Sequence, residues 1–389
     1  MKAINFIIFF SIVLAIYGAA NYYIFIRGWQ ALPLGSRLRI PYLVLFIFLA
    51  VSYVIGRFLE KIYLSLLSDI LVWIGSFWIA MFFYFFLIVV LIDLARLINH
   101  WLPFFHLITD NSVKLKQTAL IISTAIVVLI VLAGFINACA FRVKELALTI
   151  PKRTNMTSLH IVAVSDIHLG TIVGRKRFCK IVNKINSLNP DLILLVGDVV
   201  DEDLAPVIRE NLGEALLHLR SKLGVYAITG NHEYFGGVEA AVQYLKAHGV
   251  TVLRDSVVNV NSSLYLVGRE DRSSNRIIGR QRKELAELIA QTNKQLPVIL
   301  LDHQPFKLNE AAENGFDLQL SGHTHHGQLW PLNYITQKVY EKSWGYLKKG
   351  NTHIYVSCGV GTWGPPARLG NRPEILDIKL EFASSSKNQ

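Results

Sequence analysis

The sequence predicts two unlike parts, a membrane-embedded helical region and an α/β domain, and two observations support this prediction. The first 141 of the 389 residues contain long runs without a charged residue, and only 17% of the whole chain is charged, against about 25% in a typical soluble protein. The remainder alternates short, β-branched apolar runs with amphipathic stretches. Apolar runs of about 20 residues are typical of transmembrane helices, and strands that alternate with helices are typical of an α/β sheet.

Four uncharged runs predict four transmembrane helices within residues 1–141. They cover about residues 3–26, 40–56, 70–92 and 117–141, and charged residues stand at their boundaries. Packing so many apolar helices inside a soluble core would leave too little polar surface to cover them. Four spans place the N-terminus and the C-terminal part on the same side of the membrane. The Lys and Arg residues are almost evenly divided between the two sides, with a small excess that favours a cytoplasmic C-terminal part.

The C-terminal part is predicted to be one domain, residues 158–382, joined by a polar linker, residues 142–157, and followed by a polar tail, residues 383–389. Five segments of the domain share one pattern, a short apolar run followed at once by polar residues. They cover residues 159–170, 190–203, 224–237, 296–305 and 316–328. Runs of this length fit strands that are buried on both faces of a sheet.

The ends of these runs carry potential metal ligands, and the carboxyl ends of the strands are where sites form in an α/β sheet. The residues are Asp166, His168, Asp198, Asp201, Asn231, His232, His303, His323 and His325. Imidazole, carboxylate and amide oxygens suit Mn, Fe or Zn, whereas the three cysteines form no CxxC pair that would indicate a thiolate site. One four-coordinate ion would not need so many ligands, so the pattern predicts two ions that share a carboxylate.

The motifs DIH, GDVVD, GNHE, LDHQP and GHTH occur in this order within residues 158–382, and together they resemble the calcineurin-like metallophosphoesterase superfamily. The stretches SGHTHHGQLWP and CGVGTWGPPARLGNRPEI are most similar to its bacterial membrane-associated phosphohydrolase branch. The resemblance implies two mixed sheets packed face to face with helices outside, an αββα sandwich, in a protein of a bacterial inner or plasma membrane. It also implies hydrolysis of phosphate ester or pyrophosphate bonds by a hydroxide that bridges two divalent metal ions, with Mn favoured and Fe, Zn or Mg as alternatives.

The resemblance also assigns roles to residues. The first ion would be held by Asp166, His168, Asp198 and His325, and the second by Asp198, Asn231, His303 and His323. His232 would be a general acid for the leaving oxygen or a stabiliser of the transition-state charge, and Asp201 would fix its tautomer, although Asp201 also fits a simple turn acceptor. His326 stands where related sequences more often have Gly, so it is either a solvent-exposed substitution or a contact for substrate phosphate. Arg368 has the planar fork that suits phosphate oxygens, and a structural role is the alternative.

The expected partners are membrane lipids and a phosphate-containing substrate. A lipid-linked substrate is a hypothesis based on the spans and on aromatic residues near the motifs, Tyr234, Phe235, Trp330 and Trp363. Nucleic acid is not expected, because the basic residues behind the net charge of +11 are scattered. A nucleotide or cyclic-nucleotide phosphodiesterase is the alternative. A receptor or transporter with a regulatory metal domain is a further one, although the apolar cores of the spans lack the charged residues that ion pathways normally need.

Overall fold

The structure, a computed structural model, describes residues 2–102 and 112–383. The chain divides into two compact units, Met1–Gly134 and Phe135–Gln389. The boundary lies before the predicted limit at residue 141, because the last turn of the fourth helix belongs to the second unit. Of the predicted polar tail, residues 384–389 lie outside the described residues.

The described part of the first unit is helical. Its helices are α1 (Lys2–Ala31), α2 (Arg39–Ile62), α3 (Leu66–Trp101) and α4 (Val113–Cys139). Three of them, α2, α3 and α4, are long and apolar enough to cross a membrane. The first predicted segment is also helical, but its role as a fourth span stays a prediction.

Helices α2 and α3 pack closely through two glycines. A Cβ atom on Gly75 would lie 2.2 Å from the backbone nitrogen of Tyr53, and one on Gly56 would lie 2.7 Å from that of Val72. Any larger residue would therefore push the two backbones apart. Small residues at helix contacts are common in membrane bundles, where close backbone approach replaces the hydrophobic driving force of water-soluble proteins.

The second unit contains two six-stranded mixed sheets. The strands are β1 (Arg142–Arg153), β2 (Ser158–Val164), β3 (Leu192–Val196), β4 (Val225–Ile228), β5 (Thr251–Leu253), β6 (Ser256–Val260), β7 (Leu264–Gly268), β8 (Val298–Leu301), β9 (Leu318–Ser321), β10 (Gly345–Lys349), β11 (Thr352–Val356) and β12 (Glu374–Ala383). The strand orders are β1-β12-β2-β3-β4-β5 and β10-β11-β9-β8-β7-β6. The sheets bury a shared core that includes Ile161 and Leu194 from the first and Leu266, Ile299 and Leu318 from the second. This confirms the predicted pair of mixed sheets.

Nine helices complete the described part of the second unit. They are α5 (Arg175–Ser187), α6 (Leu204–Arg209), α7 (Gly213–Leu217), α8 (Asn231–Gly236), α9 (Val238–Ala247), α10 (Ser273–Ile278), α11 (Leu285–Ile289), α12 (Asn309–Asn314) and α13 (Leu332–Val339). Two further cores, one on each sheet, include residues of these helices, such as Phe178 and Ile181 of α5 and Leu285 and Leu288 of α11. Each sheet is therefore covered on both faces, which explains why its central strands are continuously apolar.

The prediction of a linker over residues 142–157 is wrong for most of that range, because residues 142–153 form β1. This strand pairs in parallel with β12 at the edge of the first sheet. Its apolar residues alternate, so that Leu146, Leu148 and Ile150 reach the core while the residues between them are exposed. Pro151 is tolerated because an edge strand does not use all of its backbone donors.

Candidate metal centre

The predicted site residues follow five strands that lie side by side in the two sheets. Asp166 and His168 follow β2, Asp198 and Asp201 follow β3, Asn231 and His232 open α8 after β4, His303 follows β8, and His323 and His325 follow β9. The strands β2, β3 and β4 are consecutive parallel neighbours in one sheet, as are β8 and β9 in the other. Their carboxyl ends therefore meet at one edge of the sandwich.

The backbone at these strand ends is sharply bent. Asp166, His168 and Asp198 have φ values of 53°, 54° and 50°, and those of His323 and His325 are 72° and 45°. Residues other than glycine rarely adopt positive φ, and such strain is typical of functional sites. Hydrogen bonds between the loops hold this conformation, including those from the backbone N–H of Asp166 to the Gly197 carbonyl (3.1 Å) and from that of His168 to the Asp198 carbonyl (3.0 Å).

Close packing of the loops also requires glycine. A Cβ atom on Gly230 would lie 2.2 Å from Oδ1 of Asp198, and one on Gly197 would lie 2.5 Å from Nδ1 of His303. Both glycines therefore permit a loop to approach a site side chain directly, as their positions in the GDVVD and GNHE motifs suggest.

Asp166, His168 and His325 form the first group of potential ligands. One donor atom from each lies within 4.8 Å of the others, and all three side chains are buried. Nε2 of His168 lies 2.9 Å from Nε2 of His325, which in turn lies 3.4 Å from Oδ1 of Asp166. Oδ2 of Asp166 is buried and has no hydrogen-bond partner among the described residues. A buried carboxylate oxygen without a donor fits a cation ligand.

Asp198, His303 and His323 form the second group, again with donor atoms within 4.8 Å of one another. Nε2 of His303 lies 2.9 Å from Oδ2 of Asp198, while Nδ1 of His303 donates to the Val196 carbonyl (2.7 Å) and so fixes the ring. Asn231 joins this group, because its Oδ1 lies 2.7 Å from Nδ1 of His323. The amide oxygen and the ring nitrogen are therefore within hydrogen-bond distance of each other.

Asp198 connects the two groups. It also forms a cluster within 4.8 Å with His168 of the first group and with His232. Burial opposes a charge on Asp198, but His303 and His232 hold the pKa of its carboxyl well below the usual range. The carboxylates of Asp198 and Asp166 are both buried, so nearby positive charge would stabilise them. Divalent cations would supply that charge.

The histidines of the GHTH motif suit metal binding because they are neutral. Burial lowers the pKa of His323 to about 3, and burial together with the nearby Arg368 guanidinium lowers that of His325 well below its usual range. A histidine must be neutral to offer a nitrogen lone pair to a metal ion. The clustered His and Asp side chains therefore fit divalent cations.

His232 and Asp201 form a hydrogen-bonded pair beside these groups. Nδ1 of His232 lies 3.0 Å from Oδ1 of Asp201, and the backbone N–H of His232 donates to Oδ1 of Asp198 (2.9 Å). Burial alone would lower the pKa of His232, but the charge of Asp198 and the bond with Asp201 raise it to about 9. Burial likewise opposes ionisation of Asp201, but the His168 ring, whose Nδ1 lies 3.6 Å from Oδ1 of Asp201, and the hydrogen bond with His232 hold its pKa below the usual range. The geometry favours the predicted pairing of a cationic ring with a carboxylate.

Comparisons with known proteins agree with this geometry. The Calcineurin-like phosphoesterase profile matches residues 159–327, which include all the predicted ligands. A transmembrane protein with metallophosphoesterase domain from Danio rerio is 30% identical over 360 residues, which cover 88% of this chain and 80% of the relative. The chain belongs to the calcineurin-like metallophosphoesterase family.

Bacterial metallophosphoesterases are also similar to this chain. An uncharacterized metallophosphoesterase of Aquifex aeolicus is 31% identical over 242 residues, or 62% of this chain and 92% of the relative. One from Campylobacter jejuni is 29% identical over 385 residues, which cover 97% of this chain and 99% of the relative. These bacterial relatives are consistent with the predicted bacterial branch. The apolar helices and the transmembrane relative support association with a membrane.

The structure shows a role for Glu233, which the sequence reasoning did not assign. This buried carboxylate of the metallophosphoesterase domain accepts hydrogen bonds from the backbone N–H groups of Asp198 (3.2 Å), Val200 (2.9 Å) and Gly230 (2.7 Å). Burial and the charge of Asp198 raise its pKa to about 7. Its place as the acidic residue of GNHE, in the first turn of α8, was the available signal. Glu233 ties the loop after β3 to the loop after β4.

Replacement of Glu233 by glutamine is expected to destabilise the protein. An amide offers one oxygen, so at least one of the three N–H groups would lose its acceptor, at a cost of about 1–3 kcal/mol. We expect the Tm to fall by a few degrees, as measured by circular dichroism in detergent. Glu239→Gln is the matched control, because Glu239 is exposed and its ion pair with Arg254 lies at the surface. An unchanged Tm for the Glu233 variant would contradict this role.

Arg368 does not occupy the position expected of a substrate ligand. Its side chain is 0% exposed. Nε and Nη2 donate to the Gly361 carbonyl (3.1 and 2.6 Å), and Nη1 donates to the Cys358 carbonyl and to Oδ1 of Asn371. Nη2 also lies 2.9 Å from Nδ1 of His325. All of the guanidinium donors are therefore used by groups of the protein itself. This geometry favours the structural alternative, in which Arg368 holds the His325 ring in place through Nδ1.

His326 is neither exposed nor placed as a phosphate contact. Its side chain is 7% exposed, its Nδ1 lies 3.0 Å from Oγ of Ser343, and its ring packs against Trp344 with a centroid distance of 5.1 Å. The prediction of a solvent-exposed substitution is wrong. The reason is that His326 lies in the short turn His325–Gly327, where its φ of 45° accompanies a ring placed against Ser343 and Trp344.

Proposed function

We propose that this protein is a membrane-anchored phosphoesterase that uses two divalent cations to hydrolyse a phosphate ester or pyrophosphate bond. The observation that supports it best is the position of Asp198 between two groups of ligand atoms. In this proposal, Asp166, His168, Asp198 and His325 hold one ion. Asp198, Asn231, His303 and His323 hold the other.

Such ions, when bound, would neutralise phosphate charge and lower the pKa of a water molecule toward about 7, with Mn favoured and Fe, Zn or Mg as alternatives. The protein's own contribution is position and proton transfer. The hydrogen bond from Nδ1 of His232 to Asp201 leaves Nε2 on the opposite side of the ring. We assign Nε2 as the proton donor to the leaving oxygen, and Asp201 as the residue that holds the ring in this tautomer.

The substrate we favour is lipid-linked. Two aromatic side chains lie at the mouth of the site, since the rings of Phe235 and Trp363 are each 5.7 Å from that of His232. Both are largely exposed, Phe235 at 57% and Trp363 at 50%. Tyr234, by contrast, is buried beside Arg254, so it does not contribute to this surface. Exposed aromatic residues beside polar catalytic groups suit a substrate with an apolar part.

A substrate panel on the full-length protein in detergent, run in turn with Mn, Fe, Zn and Mg, would test this function. The panel contains a nitrophenyl phosphate, a cyclic nucleotide, a phospholipid and a lipid-linked sugar pyrophosphate. We expect hydrolysis that is lost with chelator and that is fastest on the lipid-linked compounds. Comparable turnover of soluble nucleotides would favour the alternative, a nucleotide or cyclic-nucleotide phosphodiesterase. Failure to cleave any of the phosphate compounds with any of the four metals would overturn the assignment.

Removal of the two aromatic rings is expected to separate lipid binding from chemistry. The double variant Phe235→Ala, Trp363→Ala should raise KM for a lipid-linked substrate about tenfold or more, because burial of one large apolar side chain is worth roughly 1.5–3 kcal/mol. Turnover of a small soluble ester should change by less than about threefold. Ile208→Ala is the matched control, because Ile208 is equally exposed on α6. An unchanged KM for the lipid would remove the support for a lipid-linked substrate.

A further inference from the structure

The helical unit contains an apolar cavity that the proposed hydrolysis does not use. Its volume is about 380 Å³, within the range of small-molecule sites. All four helices contribute to it, with Ile24 from α1, Phe46 from α2, Trp78 and Phe85 from α3, and Leu120 from α4 among its apolar residues. The ligand groups of the metal centre lie outside its lining, so the cavity is a separate site.

One end of the cavity is charged. Arg27, Asp93, Arg96 and Lys116 line it together with the apolar residues. They lie near the end of α1, the end of α3 and the start of α4, so they mark the same end of the helical unit. Three cations face one carboxylate, which leaves a net charge of +2 (3 − 1) if all are ionised.

The single carboxylate is already engaged. Oδ2 of Asp93 lies 2.6 Å from Nη2 of Arg27 and also accepts a hydrogen bond from the Tyr23 hydroxyl. Nη1 of Arg96 is farther away, 3.7 Å from Oδ1 of Asp93. Within residues 2–102 and 112–383, Lys116 makes no ion pair. Arg96 and Lys116 therefore retain positive charge for a ligand.

The combination of features selects one class of occupant. A soluble anion would not use the apolar interior, and an uncharged lipid would not use the cations. A basic end near a membrane surface attracts anionic headgroups, while the apolar part takes hydrocarbon. We propose that the cavity binds an anionic phospholipid, with an acyl chain between the helices and its phosphate against Arg96 and Lys116.

Native mass spectrometry of the full-length protein would test this site, with phosphatidylglycerol and phosphatidylcholine as probes. We expect one tightly retained phosphatidylglycerol per chain and much weaker retention of phosphatidylcholine. Each basic residue near an anionic headgroup changes affinity about fivefold, so Arg96→Gln with Lys116→Gln should weaken phosphatidylglycerol binding about 25-fold. Lys114→Gln is the matched control, because Lys114 is exposed two residues earlier on α4 and does not line the cavity.

A second variant tests the apolar half of the site while the cations remain. Ser123 and Ala119 line the cavity, and Ser123→Phe is expected to fill it and to prevent retention of the lipid. Ala119→Leu is the milder substitution if the first variant is poorly folded by circular dichroism. Equal losses with Lys114→Gln and Lys116→Gln would show diffuse surface attraction and would overturn the proposal. Undiminished phosphatidylglycerol binding in both cavity-filling variants would do so as well.

Discussion

Replacement of Asp198 by asparagine is expected to abolish hydrolysis and metal loading together. The carboxylate lies between both ligand groups and is buried, so an amide of the same shape removes the shared negative charge without opening a cavity. Metal ions in such centres contribute several kcal/mol to the transition state, so activity should fall at least about a thousandfold. Steady-state kinetics and elemental analysis of bound metal would measure the two losses on the same sample.

The matched control for this variant is Asp203→Asn. Asp203 is five residues away and caps α6 by accepting from the backbone N–H of Ala205, a role that asparagine also fills. We expect normal activity and metal content in the control. Two ions per chain in the Asp198 variant, with at least a tenth of the original activity, would disprove the bridging role.

Replacement of His232 by alanine is expected to cut turnover about 10²- to 10⁴-fold while both ions stay bound. The bond from the backbone of residue 232 to Asp198 does not need the side chain, so the ligand geometry should persist. The loss should be large for an alkyl phosphate ester and small for a nitrophenyl ester, whose leaving group needs no proton. A leaving-group series with metal analysis would measure both.

His218→Ala serves as the control, because His218 is exposed at the end of α7. Asp201→Asn should resemble the His232 variant in its leaving-group dependence, though with a smaller loss, since it removes the orientation of the ring and not the ring itself. An equal loss across all leaving groups would show that His232 stabilises charge and does not donate a proton.

The convergence of the site residues was predictable from the sequence because it depends on one rule of sheet geometry. DIH, GDVVD and GNHE each follow a buried apolar run, and parallel strands bring their carboxyl ends to a common edge. GHTH and the lone histidine of LDHQP do the same in the second sheet. The grouping of Asn231 with His323 needed the resemblance, because spacing along the chain does not determine which loops touch.

Other features depend on tertiary packing that local pattern does not reveal. Arg368 has the side chain of a phosphate ligand, but its donors meet carbonyls of its own loop, Cys358 and Gly361. The polarity of residues 142–153 suggested a linker, whereas an edge strand needs only every second residue to be apolar. At Leu148 and Ile150 that alternation was present, and the charged residues around them obscured it.

The five proposed ligand residues with positive φ have a consequence for how this protein evolves. Each costs the fold about 1 kcal/mol relative to glycine, so together they consume roughly 5 kcal/mol, a sum comparable to the net stability of many domains. A mutation to glycine at any of them would relax the backbone while removing a ligand. A substitution that stabilises the fold at one of these positions would therefore also remove activity. Without selection for hydrolysis, such substitutions would accumulate and the protein would become more stable and inactive.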